Sequence, residues 1–379
     1  MKFSESWLRG FVDPTCVGHE FSHLLTMAGL EVESEESVAP PFDRVIVAQI
    51  LDVDKHPAAD RLHVCRVDLG AGEIAQIVCG APNAAAGKKV PCALPGAELP
   101  GGLTIKVAKV RGITSSGMLC SAKELAISDD ASGLLILDDD APVGENLRTY
   151  LDLDDRLLTL KLTPNRADCL SLEGVAREVA ALTGTPARYI EVAAVEPTID
   201  KERPIVLAAP ESCPLYCGRV ISGVNARATT PAWMRRRLER SGLRSISALV
   251  DITNYVMLEL GQPLHAFDNS RLNGTIRVRL ARPDETLRLL NEQTLRLRSD
   301  TLLIADDANP LALAGIMGGA ESGITLDTDE LFLEAAFFAP KAVAGRARQY
   351  GFGSDASHRF ERGVDFGGTR RALERASRL

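Results

Sequence analysis

The sequence contains no CxxC pair, no stretch of about 18 uninterrupted apolar residues and no excess of positive charge. Each absence excludes something. The eight cysteines (Cys16, Cys65, Cys79, Cys92, Cys120, Cys169, Cys213 and Cys217) are scattered. The closest two, Cys213 and Cys217, flank Pro214 without nearby histidines, which argues against zinc. Reduced thiols in a cytoplasmic protein are the expectation. Without a long apolar run no membrane span is expected. The opening MKFSESWLRGFVDP carries Glu5 and Asp13 and lacks the apolar centre of a secretory signal. The net charge of −8 and pI near 5.4 exclude the broad basic footprint of a dedicated nucleic-acid binder. Any RNA contact must come from local patches. No metal-ligand constellation is present, and GIMGG (315–319) lacks the lysine and spacing of a phosphate-binding loop.

What is present is an ordinary globular balance, 45% hydrophobic and 25% charged, in 379 residues, enough for two or three domains. Residues 3–12 and 18–28 read as helices, with Ser4 as a cap and Gly29 as a stop. APPFDR (39–44) breaks that pattern. Short β-runs follow, at 44–53, 62–69, 73–79 and 103–109, with turns at GAPN, PGAELPGG and SSG, as in a small barrel or sandwich. Helical and strand texture returns at 157–163 and 171–184. The β-rich segment therefore reads as an insertion into a domain whose two pieces are too small to stand alone. After a linker at 191–204, TPAWMRRRLERSG (230–242) predicts a helix capped by Thr230 with Pro231 at its first position. Its arginines read as a solvated face. A second helix is expected at 247–261, and strands at 276–280, 286–290, 294–298, 302–305 and 330–337. The fold class is multidomain α+β with mostly antiparallel pairing. The terminal RRALERASRL reads as a helix that is cut rather than finished.

Taken singly, His56 and His63 are surface residues and Asp60–Arg61 a turn. In order, HPAADRLHVCRVDLG, IVCGAPN, PGAELPGG and KVRGITSSGMLCSAKELAI resemble the tRNA-binding OB-type domain of synthetase-associated proteins. Residues 40–150 hold 11 lysines and arginines against 14 acidic residues, so a docking role stands beside RNA affinity. Further along, ALVDITNYVMLELGQPLHAFD, LALAGIMGG, LFLEAAFF and GFGSDASHRFERGVD follow MKFSESWL and KLTPNRADCLSLEGVAREVAALTG. Their order resembles the bacterial-type phenylalanyl-tRNA synthetase beta chain over nearly all 379 residues. The resemblance implies a split α+β domain (1–38 with 151–200), an inserted OB-type barrel (39–150) and a B3/B4-type editing domain (205–379). It further implies an alpha-chain partner in a two-alpha, two-beta assembly and tRNA(Phe) as RNA partner. ATP and Mg2+ would serve the full enzyme, and no cofactor would be bound here.

An editing site has a chemical requirement that the residues can be tested against. Tyrosine differs from phenylalanine by one hydroxyl, and an apolar pocket rejects an added hydroxyl by only about 100-fold. A second sieve therefore needs a buried polar group, since leaving an acceptor unpaired costs about 1–3 kcal/mol. Glu334, within the apolar LFLEAAFF, suits that task; its plain alternative is a strand-edge ion pair. His265, just past Gly261 and Pro263, can hold a water or a ribose; alone, it would be a packed or capping histidine. An aminoacyl ester is already activated, so positioning with weak base assistance suffices and no Ser or Cys nucleophile is needed. The resemblance adds Arg244 and Asn254 to the site, and makes Gly315, Gly318, Ser354 and Ala356 its lining. His358, Arg359, Glu361 and Arg362 read as a structural network. Two functions stand: hydrolysis of mischarged tyrosyl-tRNA(Phe), and a non-catalytic tRNA-binding or assembly module with an idle pocket.

Overall fold

The computed structural model describes residues 1–379. The chain forms two compact units, one of residues 1–35 with 158–379 and the other of residues 36–157. No helix is long and apolar enough to cross a membrane.

The second unit is a twisted five-stranded antiparallel sheet. Val45–Lys55 lies at its centre, flanked by His63–Asp68 then Ile74–Cys79 on one side, and by Lys89–Ala93 then Met118–Leu119 on the other. The edges approach one another. The Ser116 amide donates to the Gln76 carbonyl at 2.9 Å, and the Val78 amide to Ser115 Oγ at 3.0 Å, so the sheet is nearly closed. Alternation in Val45–Lys55 and His63–Asp68 sends Val47, Ile50, Cys65 and Val67 inward. Four cysteines (Cys65, Cys79, Cys92 and Cys120) are buried here as small apolar side chains. One strand expectation fails. Residues 103–109 split into Leu103–Thr104 and Ala108–Val110, with Leu103 and Val107 exposed. Ile105 alone is drawn inward, held by backbone bonds to Gly96 and Ala97. Local alternation yielded to the fold-over of the Pro100–Gly101–Gly102 turn.

In the first unit, Ser4 caps the helix Glu5–Arg9 through the Trp7 amide, while residues 2–4 are strand, so helix begins later than expected. The helix Leu172–Thr183 runs from a Ser171 cap to Gly184 in the left-handed region. Phe3, Trp7, Leu8, Phe21 and Leu25 pack with Leu158, Leu160, Val175 and Val179 in one core. Met234, Leu238, Tyr255 and Leu258 complete that core, so the helices Ala232–Arg240 and Ala248–Leu260 pack against the N-terminal elements. Thr230 does not cap the first of these helices. Its hydroxyl donates instead to Asp251 at 2.5 Å, and Pro231 takes the cap position. Asp251 is fully buried and also accepts from Ser245 Oγ and the Ile246 amide, a stronger claim on Thr230 than a helix end.

Two sheets build the rest of this unit. In a three-stranded antiparallel sheet, Glu330–Phe337 lies between Leu215–Ser222 and Leu264–Asp268. A five-stranded sheet orders Ile205–Leu207, Ile276–Leu280, Leu302–Ala305, Pro310–Leu313 and Met317–Gly318, with only the first pair parallel. The central strand Glu330–Phe337 is covered on both faces, which explains its nearly continuous apolar run. Leu331, Leu333 and Ala335 face a core shared with the terminal helix Thr369–Arg378, whereas Phe332 and Ala336 face the largest core. By alternation Glu334 points into that largest core.

Gly174 lies inside a helix, where alanine propensity favours substitution by about 1 kcal/mol. A Cβ there would stand 1.7 Å from the Asp168 carbonyl oxygen. Gly174→Ala is therefore expected to destabilise, by about 1–3 kcal/mol from overpacking. Denaturant unfolding measures the sign; a stabilised variant would mean that the helix and residue 168 are not in contact.

Candidate functional site

Strand register does most of the construction. Glu334 on the central strand lies opposite Gly218 on one neighbour and opposite His265 on the other. Tyr216, two residues before Gly218, shares the face of Glu334. Its hydroxyl donates to Glu334 Oε2 at 3.1 Å, with both residues buried. That is the carboxyl group's one hydrogen bond, and no cation pairs with it, so the strand-edge ion pair is not what the sheet builds. The gap left by Gly218 is already filled by the Phe332 ring, whose Cζ stands 2.2 Å from where a Cβ would lie.

Burial dominates the electrostatics. It pushes the Glu334 carboxyl up to about 8, against a smaller downward pull from the Tyr216 hydroxyl. It holds the His265 imidazole down at about 4. Facing each other across two strands, the acid and the base are therefore both uncharged between those values. The His265 ring is half-buried, packs edge-on to Phe267 at 4.5 Å between centroids, and leaves a buried Nε2 without a hydrogen-bond partner. An orphaned buried acceptor is costly, and here it borders a cavity.

That cavity measures about 80 Å3, and Glu334, His265, Gly315, Gly318 and Ala356 all line it, with Pro263, Met317, Phe338 and Phe360 among its walls. A Cβ on Gly318 would stand 2.6 Å from His265 Nε2. Gly315 adopts φ +69°, and a Cβ there would meet Phe338 at 2.8 Å. Both glycines are required by this packing. Benzene occupies a cavity of about 150 Å3, so an aromatic ring enters only as the walls give way. Met317, with its flexible thioether chain, is the wall best able to yield.

Not every expected residue arrives. Ser354 caps the helix Asp355–Phe360 in a reciprocal capping box with Ser357. Its hydroxyl donates to the Ile316 carbonyl at 2.7 Å, tying that helix to the glycine turn. Ser354 itself lines a different, larger cleft of about 530 Å3 with Met1, Phe352 and His358. Ala356, two residues on, faces the small cavity. Arg244 lies exposed between the helices Ala232–Arg240 and Ala248–Leu260, and Asn254 is half-buried on the second; neither lines the cavity. In the same stretch Arg359 is buried, donating to the Leu170 carbonyl and to Asp355, while Arg362 pairs with Glu361. Tyr216 was missed because the strand Leu215–Ser222 carries no regular alternation of polar and apolar residues. Nothing in its own sequence links it to residue 334.

Two modules are recognisable by comparison with known proteins. Residues 45–146 match the putative tRNA binding domain, and residues 212–379 match the B3/4 domain. A protein assembled from these two belongs to the tRNA-handling class. Over its whole length the chain is 71% identical to the phenylalanine–tRNA ligase beta subunit of Dechloromonas aromatica and 63% identical to that of Aromatoleum aromaticum. The chain belongs to the phenylalanine–tRNA ligase beta-subunit family, and it spans 48% of the length of each of these two relatives. A crystal structure of an N-terminal fragment of the phenylalanyl-tRNA synthetase beta subunit from Pyrococcus horikoshii is 18% identical. It covers 48% of this chain and 56% of that one at a TM-score of 0.29, too low to carry a structural correspondence.

The two perturbed groups make opposite contributions to stability. Unfolded, Glu334 ionises above about 4.5; folded, it keeps its proton to about 8. Its contribution is thus intact below the first value and lost as pH rises to the second. His265, held down at about 4 from 6.5, loses its contribution as pH falls through that window. Glu334→Gln, neutral at every pH, is expected to gain thermal stability relative to the parent as pH is raised from 4.5 to 8, with no further gain above it. A pH-independent difference in melting temperature would show that the carboxyl is not buried as described.

Proposed function

We propose that this chain is the N-terminal part of a phenylalanine–tRNA ligase beta subunit and that its cavity hydrolyses tyrosine wrongly attached to tRNA(Phe). The observation that supports this reading best is Glu334, a carboxyl aimed into the largest apolar core, with one phenol partner, beside a cavity shared with His265. The domain map that accompanies it is a split α+β domain of residues 1–38 with 151–200, an OB-type tRNA-binding domain of 39–150, and an editing domain of 205–379. In the whole ligase, an alpha chain joins the beta chain as two of each and carries out aminoacylation, with ATP and Mg2+. No cluster of three His, Cys, Asp or Glu side chains in this chain is arranged for a metal, so the residues here do not fit Mg2+, and hydrolysis is derived without it.

Hydrolysis needs little from the protein. Water oxygen bonds to the ester carbonyl carbon, the bond to the ribose oxygen breaks, and that oxygen takes up a proton. His265 Nε2, neutral above about pH 4, accepts a hydrogen bond from the water or the terminal ribose. An imidazole of such low basicity positions more than it abstracts. Glu334 supplies selectivity. Its free oxygen exchanges a hydrogen bond with the para hydroxyl of tyrosine, and a phenylalanine ring leaves it unsatisfied. Ala356 and the glycines leave room for the ring. Arg244 and Asn254 are proposed for the approach of the tRNA end, away from the cavity floor, and Ser354 for holding the glycine turn. The exposed tRNA-binding surface of 39–150 would act by docking and local contacts, given its net negative charge.

The test is deacylation of tyrosyl- and phenylalanyl-tRNA(Phe) by the complete ligase carrying single substitutions. Glu334→Ala is expected to weaken the preference for the tyrosyl ester by about one to two powers of ten, from about 1.5–3 kcal/mol for a charge-assisted bond. His265→Ala should slow both esters more than it changes their ratio. Ala356→Trp should fill the cavity and stop both, leaving aminoacylation intact. Full discrimination by Glu334→Ala would make the carboxyl structural and leave the idle-pocket reading standing.

A further inference from the structure

The hydrogen bond between Tyr216 and Glu334 has a consequence beyond stability. A carboxyl group at the end of a flexible chain can present either oxygen, or neither, to a ligand. In this site the Tyr216 phenol engages Oε2 at 3.1 Å from the neighbouring strand, and both side chains are buried. Two strand positions separate the residues along the paired register, so the rigid phenol spans the diagonal and leaves no slack. One oxygen is thereby occupied whether or not a ligand is present, and the other is the one left for the cavity.

We propose that Tyr216 is a positioning residue for specificity: its hydroxyl locks the Glu334 carboxyl so that a single oxygen reads the para position of the bound aromatic ring. This rests on the reading of Glu334 as the selectivity group. The phenol also acts on the proton. It favours the ionised carboxyl, opposing burial, and so holds the Glu334 transition nearer neutrality than apolar surroundings alone would. The other titratable groups facing this carboxyl are few. His265 stands opposite on the strand Leu264–Asp268 and is neutral above about pH 4. Cys213, before the strand Leu215–Ser222, has its thiol pushed up to about 12, in part by Glu334 itself. The glycine turn and the helix Asp355–Phe360 bring Gly315, Gly318, Ala356 and Phe360 to the cavity, none of them titratable. Selectivity for the tyrosyl ester is therefore expected to change through an inflection near pH 8, as the free oxygen passes from a neutral carboxyl to a carboxylate, and Tyr216 sets where it falls.

Tyr216→Phe keeps the ring and removes only the hydroxyl. In the complete ligase, deacylation of tyrosyl- and phenylalanyl-tRNA(Phe) is measured from pH 6 to 10, with melting temperature and aminoacylation as controls for folding. The expected result is a loss of about tenfold in preference for the tyrosyl ester, carried mainly in KM, with phenylalanyl hydrolysis little changed and the inflection moved above 8. Adding Tyr216→Phe to Glu334→Ala should cost nothing further, because the tyrosine acts through the carboxyl. A Tyr216→Phe enzyme with unchanged preference and an unmoved inflection overturns the inference, as does one that loses both esters equally. If Glu334→Ala itself keeps full discrimination, the underlying reading fails instead, and the two failures are thus told apart.

Discussion

A single carboxyl group on the central strand of a three-stranded sheet constrains everything around it. Alternation along Glu330–Phe337 leaves Glu334 no choice of face: its neighbours Phe332 and Ala336 already lie in the largest core. An ionised carboxylate there would carry a desolvation cost that one phenol cannot offset. The site therefore keeps the proton, and the sheet supplies Tyr216 from one side and His265 from the other. The glycines follow from the same arrangement, since His265 fills the space a side chain on residue 318 would need.

The outcome is an acid and a base that face each other without forming an ion pair. Burial drives both toward neutrality, the acid upward and the imidazole downward. That combination suits an ester that needs no strong nucleophile. A neutral imidazole nitrogen with no protein partner orients a water, and a neutral carboxyl with one oxygen tied down discriminates between a hydroxyl and a hydrogen. Rate and selectivity thus belong to different side chains, although one cavity contains both.

Polar groups buried elsewhere serve the same cavity indirectly. Ser354 links the helix that bears Ala356 to the carbonyl of Ile316 in the glycine turn. Arg359, buried on that helix, reaches the Leu170 carbonyl near the helix Leu172–Thr183, so the wall is anchored to the N-terminal core. Glu259, almost fully buried, receives two bonds from Arg375 and fastens the terminal helix to the helix preceding His265. The crowded stretch around residues 351–365 is mostly this scaffold, with one small residue facing the cavity.

Helices with a clear cap and stop, such as Leu172–Thr183 and Ala248–Leu260, were legible from the chain alone, because Ser171, Gly184 and Gly261 act on their own neighbours. The short strands of the β-rich unit were legible for the same reason, wherever alternation ran unbroken. Local pattern failed where a distant group made the better offer. Thr230 left its helix end for buried Asp251, and residues 103–109 bent so that Ile105 alone could reach the core. Glu334, His265, Gly315, Gly318 and Ala356 could be singled out by chemistry and resemblance, but not their common cavity, its small size or the absence of Arg244, Asn254 and Ser354 from its lining. Sequence by itself determined which residues carry polar chemistry and which face of each strand they occupy, since both depend on near neighbours. Only the tertiary structure decided that a tyrosine 118 positions away would hold the carboxyl, because register between strands is set by how whole sheets pack.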